Sequence, residues 1–321
     1  MKSTALGALI LGLSLAGTVA MLARNSGSAL ASGPVAVRLP SGVNATRSTI
    51  PVTVDGQRVS CVLDTGSSAI LVSPATAQAA RLTPSAGTFE LAPDGRTYID
   101  QHTRIARFGV AGYTLDDVPA LISSTLRGNN ALCGYDFFAH FPTLIDRDRQ
   151  IVTLFPAAGV LSHLRCLPID LSPHVPLATV EINGTWLSHI VLDSGMAGGG
   201  ALWEGVRSQL RQPLVTNANY MTRSAAMRDG FECGASASVR FSPGAASAAM
   251  PICTAMQRPD GYNGIIETNL PTLHAMAVDY PHHRLCLDLT SSSLIVSSRA
   301  APTQVHSSAW SRFNQSRFSP P

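Results

Sequence analysis

Two stretches of this 321-residue chain repeat one another, and the repeat constrains the fold more than any other feature. The first runs Ile50-Pro51-Val52-Thr53-Val54-Asp55-Gly56, then Val59-Ser60-Cys61-Val62-Leu63-Asp64-Thr65-Gly66. The second runs from Pro176 to Gly184 (PLATVEING), then Ile190-Val191-Leu192-Asp193-Ser194-Gly195. Each copy is an apolar β-type run, an Asp-Gly or Asn-Gly turn, and a second apolar run ending in Leu-Asp-Thr/Ser-Gly. The two aspartates lie 129 residues apart.

A second matched element follows each copy. Leu132-Cys133-Gly134-Tyr135-Asp136-Phe137 leads to Asp146 and Ile151-Val152-Thr153-Leu154, while Ile265-Ile266-Glu267-Thr268-Asn269-Leu270 leads to Asp279 and Leu285-Cys286-Leu287. The offset is now 133, a net insertion of four residues in the second copy. Repetition at this scale implies two similar lobes rather than a solenoid of ~20–50-residue repeats. Short helices are expected at 74–81 and 203–210, and most of the remainder reads as short strands punctuated by Gly and Pro, so the fold is mainly β.

Composition excludes several functions. Charged residues are 13% of the chain and hydrophobic residues 45%, which argues against a disordered or coiled-coil protein. The net charge is +3 with no basic run, so nucleic acid is not an expected partner. Lys2 is the single lysine, which removes P-loop, kinase and internal Schiff-base chemistry. The nine histidines show no metal-like spacing, and His282-His283 falls where a hairpin turn is expected. No Gly-x-Ser-x-Gly elbow or Gly-x-Gly-x-x-Gly fingerprint occurs. Neither a metal nor a cofactor is expected.

Residues 5–23 carry no charge, between Lys2 and Arg24, and Ala29-Leu30-Ala31 offers a small-x-small cleavage pattern. Residues 1–31 therefore read as a signal peptide or a membrane anchor, and either places the rest outside the cytoplasm, periplasmic or secreted. Export permits disulfides among the six cysteines. Cys233 and Cys253, flanking an Ala/Ser/Gly-rich span, are expected to pair, whereas Cys61 and Cys133 are expected to remain buried thiols. The remaining divisions are 32–160 and 161–292 for the two lobes and 293–321 for a Ser-, Pro- and Arg-rich disordered tail.

Asp64 and Asp193 each end an apolar strand and enter a Thr/Ser-Gly turn. A carboxylate there is costly to bury unless it is hydrogen-bonded or shares a proton. If the two turns meet on a pseudo-twofold axis, the carboxyls hold one proton between them; one side activates a water and the other donates to a substrate carbonyl.

In these residues the chain resembles the aspartic peptidases, specifically the bacterial retropepsin-like or aspartyl-protease-like proteins with two tandem lobes. The resemblance covers about residues 45–290. It implies a bilobal pepsin/retropepsin-like fold of two related β lobes with short helices, and an endopeptidase acting as a monomer on peptides or unfolded proteins. Asp64 and Asp193 would be the catalytic pair, and Thr65, Gly66, Ser67, Ser194 and Gly195 would support their loops, with Thr65 and Ser194 interlocking them. Leu132-Cys133-Gly134 occupies the place of the family's two-apolar-then-Gly element. Residues 89–98, including Asp94, Gly95 and Tyr98, would form the substrate-binding flap. The second copy departs from the pattern: Glu267 stands in place of Gly134, and Met196 in place of Ser67, removing a hydroxyl that could bond the Asp193 carboxylate. The alternative is a catalytically inactive peptide-binding or structural protein on the same fold.

Overall fold

The structure, a computed structural model, describes residues 34–39, 47–91, 97–155, 164–196, 199–216, 231–241, 247–255, 261–270 and 273–289. Side chains are described there except at 88–91, 97–99, 165, 204, 215–216, 231–234, 255 and 289. Residues 1–31 and 293–321, on which the signal, anchor and tail expectations fall, lie outside the described residues.

The strands of the first copy are β1 (Val35–Arg38), β2 (Thr49–Val54), β3 (Gln57–Leu63), β4 (Ile70–Val72), β5 (Gly87–Leu91), β6 (Thr97–Val110), β7 (Tyr113–Ser123), β8 (Asn130–Cys133), β9 (Thr143–Asp146) and β10 (Ile151–Leu154). Those of the second are β11 (Arg165–Pro168), β12 (Leu177–Ile182), β13 (Thr185–Asp193), β14 (Gly200–Trp203), β15 (Val215–Thr216), β16 (Phe231–Arg240), β17 (Ala248–Ala255), β18 (Gly264–Glu267), β19 (Leu273–Asp279) and β20 (Arg284–Leu289). Helices are few and short: α1 (Pro74–Ala79), α2 (Tyr135–His140) and α3 (Glu204–Arg207). The protein is mainly β.

The two copies build sheets of one design. The first has the order β2-β3-β8-β4-β7-β6-β5, with β2 also pairing to β6; the second has β12-β13-β18-β14-β17-β16-β15, with β12 also pairing to β16. Each starts from a hairpin that its turn residues dictate. Asp55 and Gly56 have φ of 46° and 83°, Asn183 and Gly184 47° and 76°, the two positive values that a type I′ turn requires. In β2, Ile50, Val52 and Val54 alternate inward, and Val180 and Ile182 do so in β12.

A third sheet joins the copies in the order β1-β10-β9-β19-β20-β11. Its centre is the β9–β19 pair, one strand from each copy, with Met276 opposite Ile145, both buried.

α1 follows its sequence signals: the Ser73 hydroxyl accepts from Thr76 N at 3.0 Å, and Pro74 opens the helix. α3 covers only Glu204–Arg207 of the expected 203–210, since Trp203 still belongs to β14 and no side chain caps the helix start. α2 was not expected; nothing caps it from Gly134, and its buried Phe137 and Phe138 hold it to the core.

The cysteines require a correction. Cys61 and Cys133 are not thiols but a disulfide. β3 and β8 are parallel neighbours, with Cys61 opposite Ala131 and Leu63 opposite Cys133, so the two Cα atoms lie 5.8 Å apart on one face. A second disulfide joins Cys166 to Cys286, directly opposite each other in the β11–β20 pairing. Cys253 is also disulfide-bonded, and the side chain of its expected partner, Cys233, lies outside those described.

Candidate active site

Asp64 follows the end of β3 and Asp193 ends β13; both are buried, at 5% and 9% exposure. In each copy the parallel neighbour sets the aspartate's position. Asp64 N–H donates to Cys133 O at 3.1 Å, and Thr268 N–H donates to Asp193 O at 2.9 Å. The turn that follows folds back on the carboxylate. Gly66 N–H donates to Asp64 Oδ1 at 3.0 Å; Gly195 and Met196 N–H both donate to Asp193 Oδ1, at 2.7 and 2.9 Å.

The turns meet across the copies. A Cβ built on Gly66 would lie 2.5 Å from Cγ of Asp193, and one on Gly195 would land on the Asp64 carboxyl. Each glycine is thus required by the aspartate of the other copy. Beneath them, Thr65 N–H donates to Ser194 Oγ at 3.0 Å and Ser194 N–H to Thr65 Oγ1 at 2.9 Å. The hydroxyls in turn donate to backbone: Thr65 Oγ1 to Leu192 O at 2.7 Å, Ser194 Oγ to Leu63 O at 2.9 Å. All four bonds are buried and all four cross between the copies.

This enclosure has an electrostatic consequence. Burial pushes the Asp193 carboxyl well above the usual carboxylate range, and the charge of Asp64 and the hydrogen bond the two carboxyls share push the same way. The Met196 and Gly195 amides pull against that shift without cancelling it.

Residues 50–137 match the aspartyl protease family, a family of retropepsin type. The match runs from β2 into α2 and includes Asp64-Thr65-Gly66 and Leu132-Cys133-Gly134. It supports a peptidase, hence a hydrolase acting on peptides. No curated protein matches the chain.

Among the other expected site residues, Ser67 lies in the loop that follows Asp64. Its hydroxyl donates to Ala69 O at 2.9 Å, closing its own loop. Met196, at the corresponding position of the second copy, has no hydroxyl to make this bond, and its backbone amide donates to Asp193 Oδ1. Asp94 and Gly95 lie outside the described residues; Tyr98 is on β6 opposite Glu90, and its side chain is not described. Among the described residues, no group of three His, Cys, Asp or Glu is arranged to hold a metal ion.

The sequence did not single out three residues that brace the site. Tyr280, buried in the 3-10 turn that follows β19, donates its phenol hydrogen to Thr65 O at 3.3 Å and packs on Phe138 and Tyr135. Burial, then Asp64 and Asp193, keep that phenol well above its ordinary pKa, so it remains a donor. Asn269 donates to Ser194 O. Arg147, which follows Asp146 as Tyr280 follows Asp279, donates from Nη1 to Leu270 O at 3.0 Å. The offset of 133 between the copies equates Arg147 with Tyr280 and could have pointed to both.

Proposed function

We propose that this chain is an exported aspartic endopeptidase in which Asp64 and Asp193 act as one catalytic unit. The observation that carries this reading is the reciprocal packing of Gly66 on Asp193 and Gly195 on Asp64, the turn of each copy lying against the carboxyl of the other. Two buried carboxyls so placed hold one proton. Asp193, the carboxyl that burial and its neighbour favour in protonated form, donates to the carbonyl of the scissile bond. Asp64 accepts a proton from the attacking water. The tetrahedral intermediate then collapses as the leaving nitrogen takes a proton back from the pair.

On this reading the two seven-stranded sheets are the lobes of a single-chain, pepsin/retropepsin-like enzyme, monomeric, with boundaries near 32–160 and 161–292. The β5–β6 hairpin becomes the flap, carrying Asp94, Gly95 and Tyr98 over an extended peptide. Export, to the periplasm or beyond, is supported by the uncharged stretch 5–23 and by the disulfides, which persist in oxidising compartments.

Glu267, in the place of a glycine, favours a second reading in which the cleft binds peptides without cutting them. Digestion of an unfolded protein at about pH 3–7, where coupled carboxyls titrate, separates the two. Asp64→Asn and Asp193→Asn should each abolish cleavage, and the double variant should be no worse than either single one. Cleavage that survives Asp193→Asn would exclude the paired mechanism, and peptide binding without cleavage by the wild type would establish the second reading.

A further inference from the structure

β18 ends at Glu267, opposite Asp193 in the parallel pairing with β13. The equivalent residue of the first copy is Gly134, where a Cβ would run into the carbonyl oxygens of Ser67 and Ala69. A buried glutamate therefore occupies a place that, in the first copy, cannot hold a methyl group.

Strand register reveals how room is made. β4 and β8 pair with Leu71 opposite Leu132, whereas β14 and β18 pair with Ala201 opposite Ile265. Counted from the aspartates, the second loop is longer than the first by one residue. That residue changes what lies against the strand end. Gly199 N–H donates to Glu267 Oε2 at 2.6 Å, and Glu267 N–H donates to Gly199 O at 2.9 Å. Gly199 has φ +119°, and a Cβ there would strike Pro251 O, so the position demands glycine. From the first copy comes Arg147, whose guanidinium and the Glu267 carboxylate attract one another and offset part of the cost of burying both. Glu267 is 7% exposed, hydrogen-bonded and attracted by the charge of Arg147. These are the conditions under which a buried carboxylate is tolerable.

We propose that Glu267 is a positioning residue of the second half-site. It anchors the lengthened loop through the Gly199 amide and so keeps the Gly195 and Met196 N–H groups on Asp193 Oδ1. In the first copy close packing on Gly134 performs this task; in the second a carboxylate does. The Gly-to-Glu change and the added loop residue are thus one adaptation and not two separate lesions. Its effect on catalysis rests on the peptidase reading above, but the anchoring itself does not.

The test uses the full chain with Glu267→Gln, whose amide oxygen can still accept from Gly199, and Glu267→Ala, which has no acceptor. Backbone hydrogen exchange reads the anchor directly: Gly199 should be protected in the wild type and in Glu267→Gln, and lose that protection in Glu267→Ala. Loss of the anchor should lower kcat about 100-fold, the scale of a displacement near 1 Å at a reacting group. KM should change less than about twofold, because ground-state binding is untouched, and Glu267→Gln should stay within about fivefold of wild-type kcat. An unprotected Gly199 in the wild type overturns the proposal. So does wild-type kcat in Glu267→Ala, or a folded Glu267→Gln as impaired as the alanine variant. Should Glu267→Ala fail to fold, the glutamine variant decides alone. If the wild type cuts nothing, the peptidase reading fails, and the exchange experiment still decides whether Glu267 holds the loop.

Discussion

The phenol of Tyr280 and the carbonyl of Thr65 lie 3.3 Å apart, binding the last strand pair of the second copy to the aspartate turn of the first. Tyr280→Phe keeps the ring packing on Phe138 and Tyr135 and removes only the hydroxyl. The expected cost is about 1 kcal/mol, the net worth of one buried hydrogen bond, read as a lower urea midpoint at unchanged m. An unchanged midpoint would mean that Thr65 O finds another donor.

The contact of Gly66 with Asp193 leaves no space for a methyl group. Gly66→Ala should abolish cleavage and cost about 1–3 kcal/mol, the range for overpacking. Gly195→Ala should do the same to Asp64. Steady-state kinetics and thermal melts check both, and near-normal kcat in either variant would show that the turns can separate without loss.

Thr65 and Ser194 exchange amide and hydroxyl bonds, so their contributions are not independent. Each alanine variant strands buried backbone groups, at about 1–3 kcal/mol for each group left unpaired. The double variant should be more stable than the sum of the two losses predicts, with a coupling of about 0.5–3 kcal/mol in a double-mutant cycle. Thr65→Ser should recover most of the loss. Strict additivity would contradict the interlock.

Asp193 supplies the pH dependence of stability. Its folded pKa is raised, first by burial and then by Asp64, so the folded protein binds this proton more tightly than the unfolded chain. The associated stabilisation is complete below the ordinary value of 3.8 and declines as pH rises towards the raised folded value. The wild type should therefore lose stability across that window, while Asp193→Asn should not. Melting curves from acid to neutral pH test this, and parallel pH profiles for the two proteins would contradict it.

Much of this architecture is visible in the residues because it is local. Asp55-Gly56 and Asn183-Gly184 specify their hairpins, Ser73-Pro74 starts α1, and the two Leu-Asp-Thr/Ser-Gly strings mark corresponding turns. What escapes the sequence is long-range pairing. Nothing near Cys61 announces that its neighbour is β8, reached only after four intervening strands, so the Cys61–Cys133 bond was invisible until the parallel register was known. α2 lacks a side-chain cap and owes its existence to buried phenylalanines. At the site, Asp64 and Asp193 were legible as a pair, but Tyr280, Asn269 and Arg147 were not, because each acts on a backbone carbonyl distant in sequence. Glu267 reads in sequence as decay of a motif; its acceptor role appears only once the loop is seen to be one residue longer.

The six-stranded sheet has an unexpected corollary for a chain of this kind. β9 and β19 lie side by side at its centre, and neither the Cys61–Cys133 nor the Cys166–Cys286 disulfide spans the connection between Phe155 and Leu164. A chain severed in that connection would persist as two pieces held without a covalent link, by β-pairing, the Thr65–Ser194 bonds and the contacts of Tyr280 and Arg147 across the copies. On the paired-aspartate reading, one piece would carry Asp64, the other Asp193, and each would be inert by itself. Expressed separately, the pieces would form a split enzyme, whose activity counts the molecules that have found their other half.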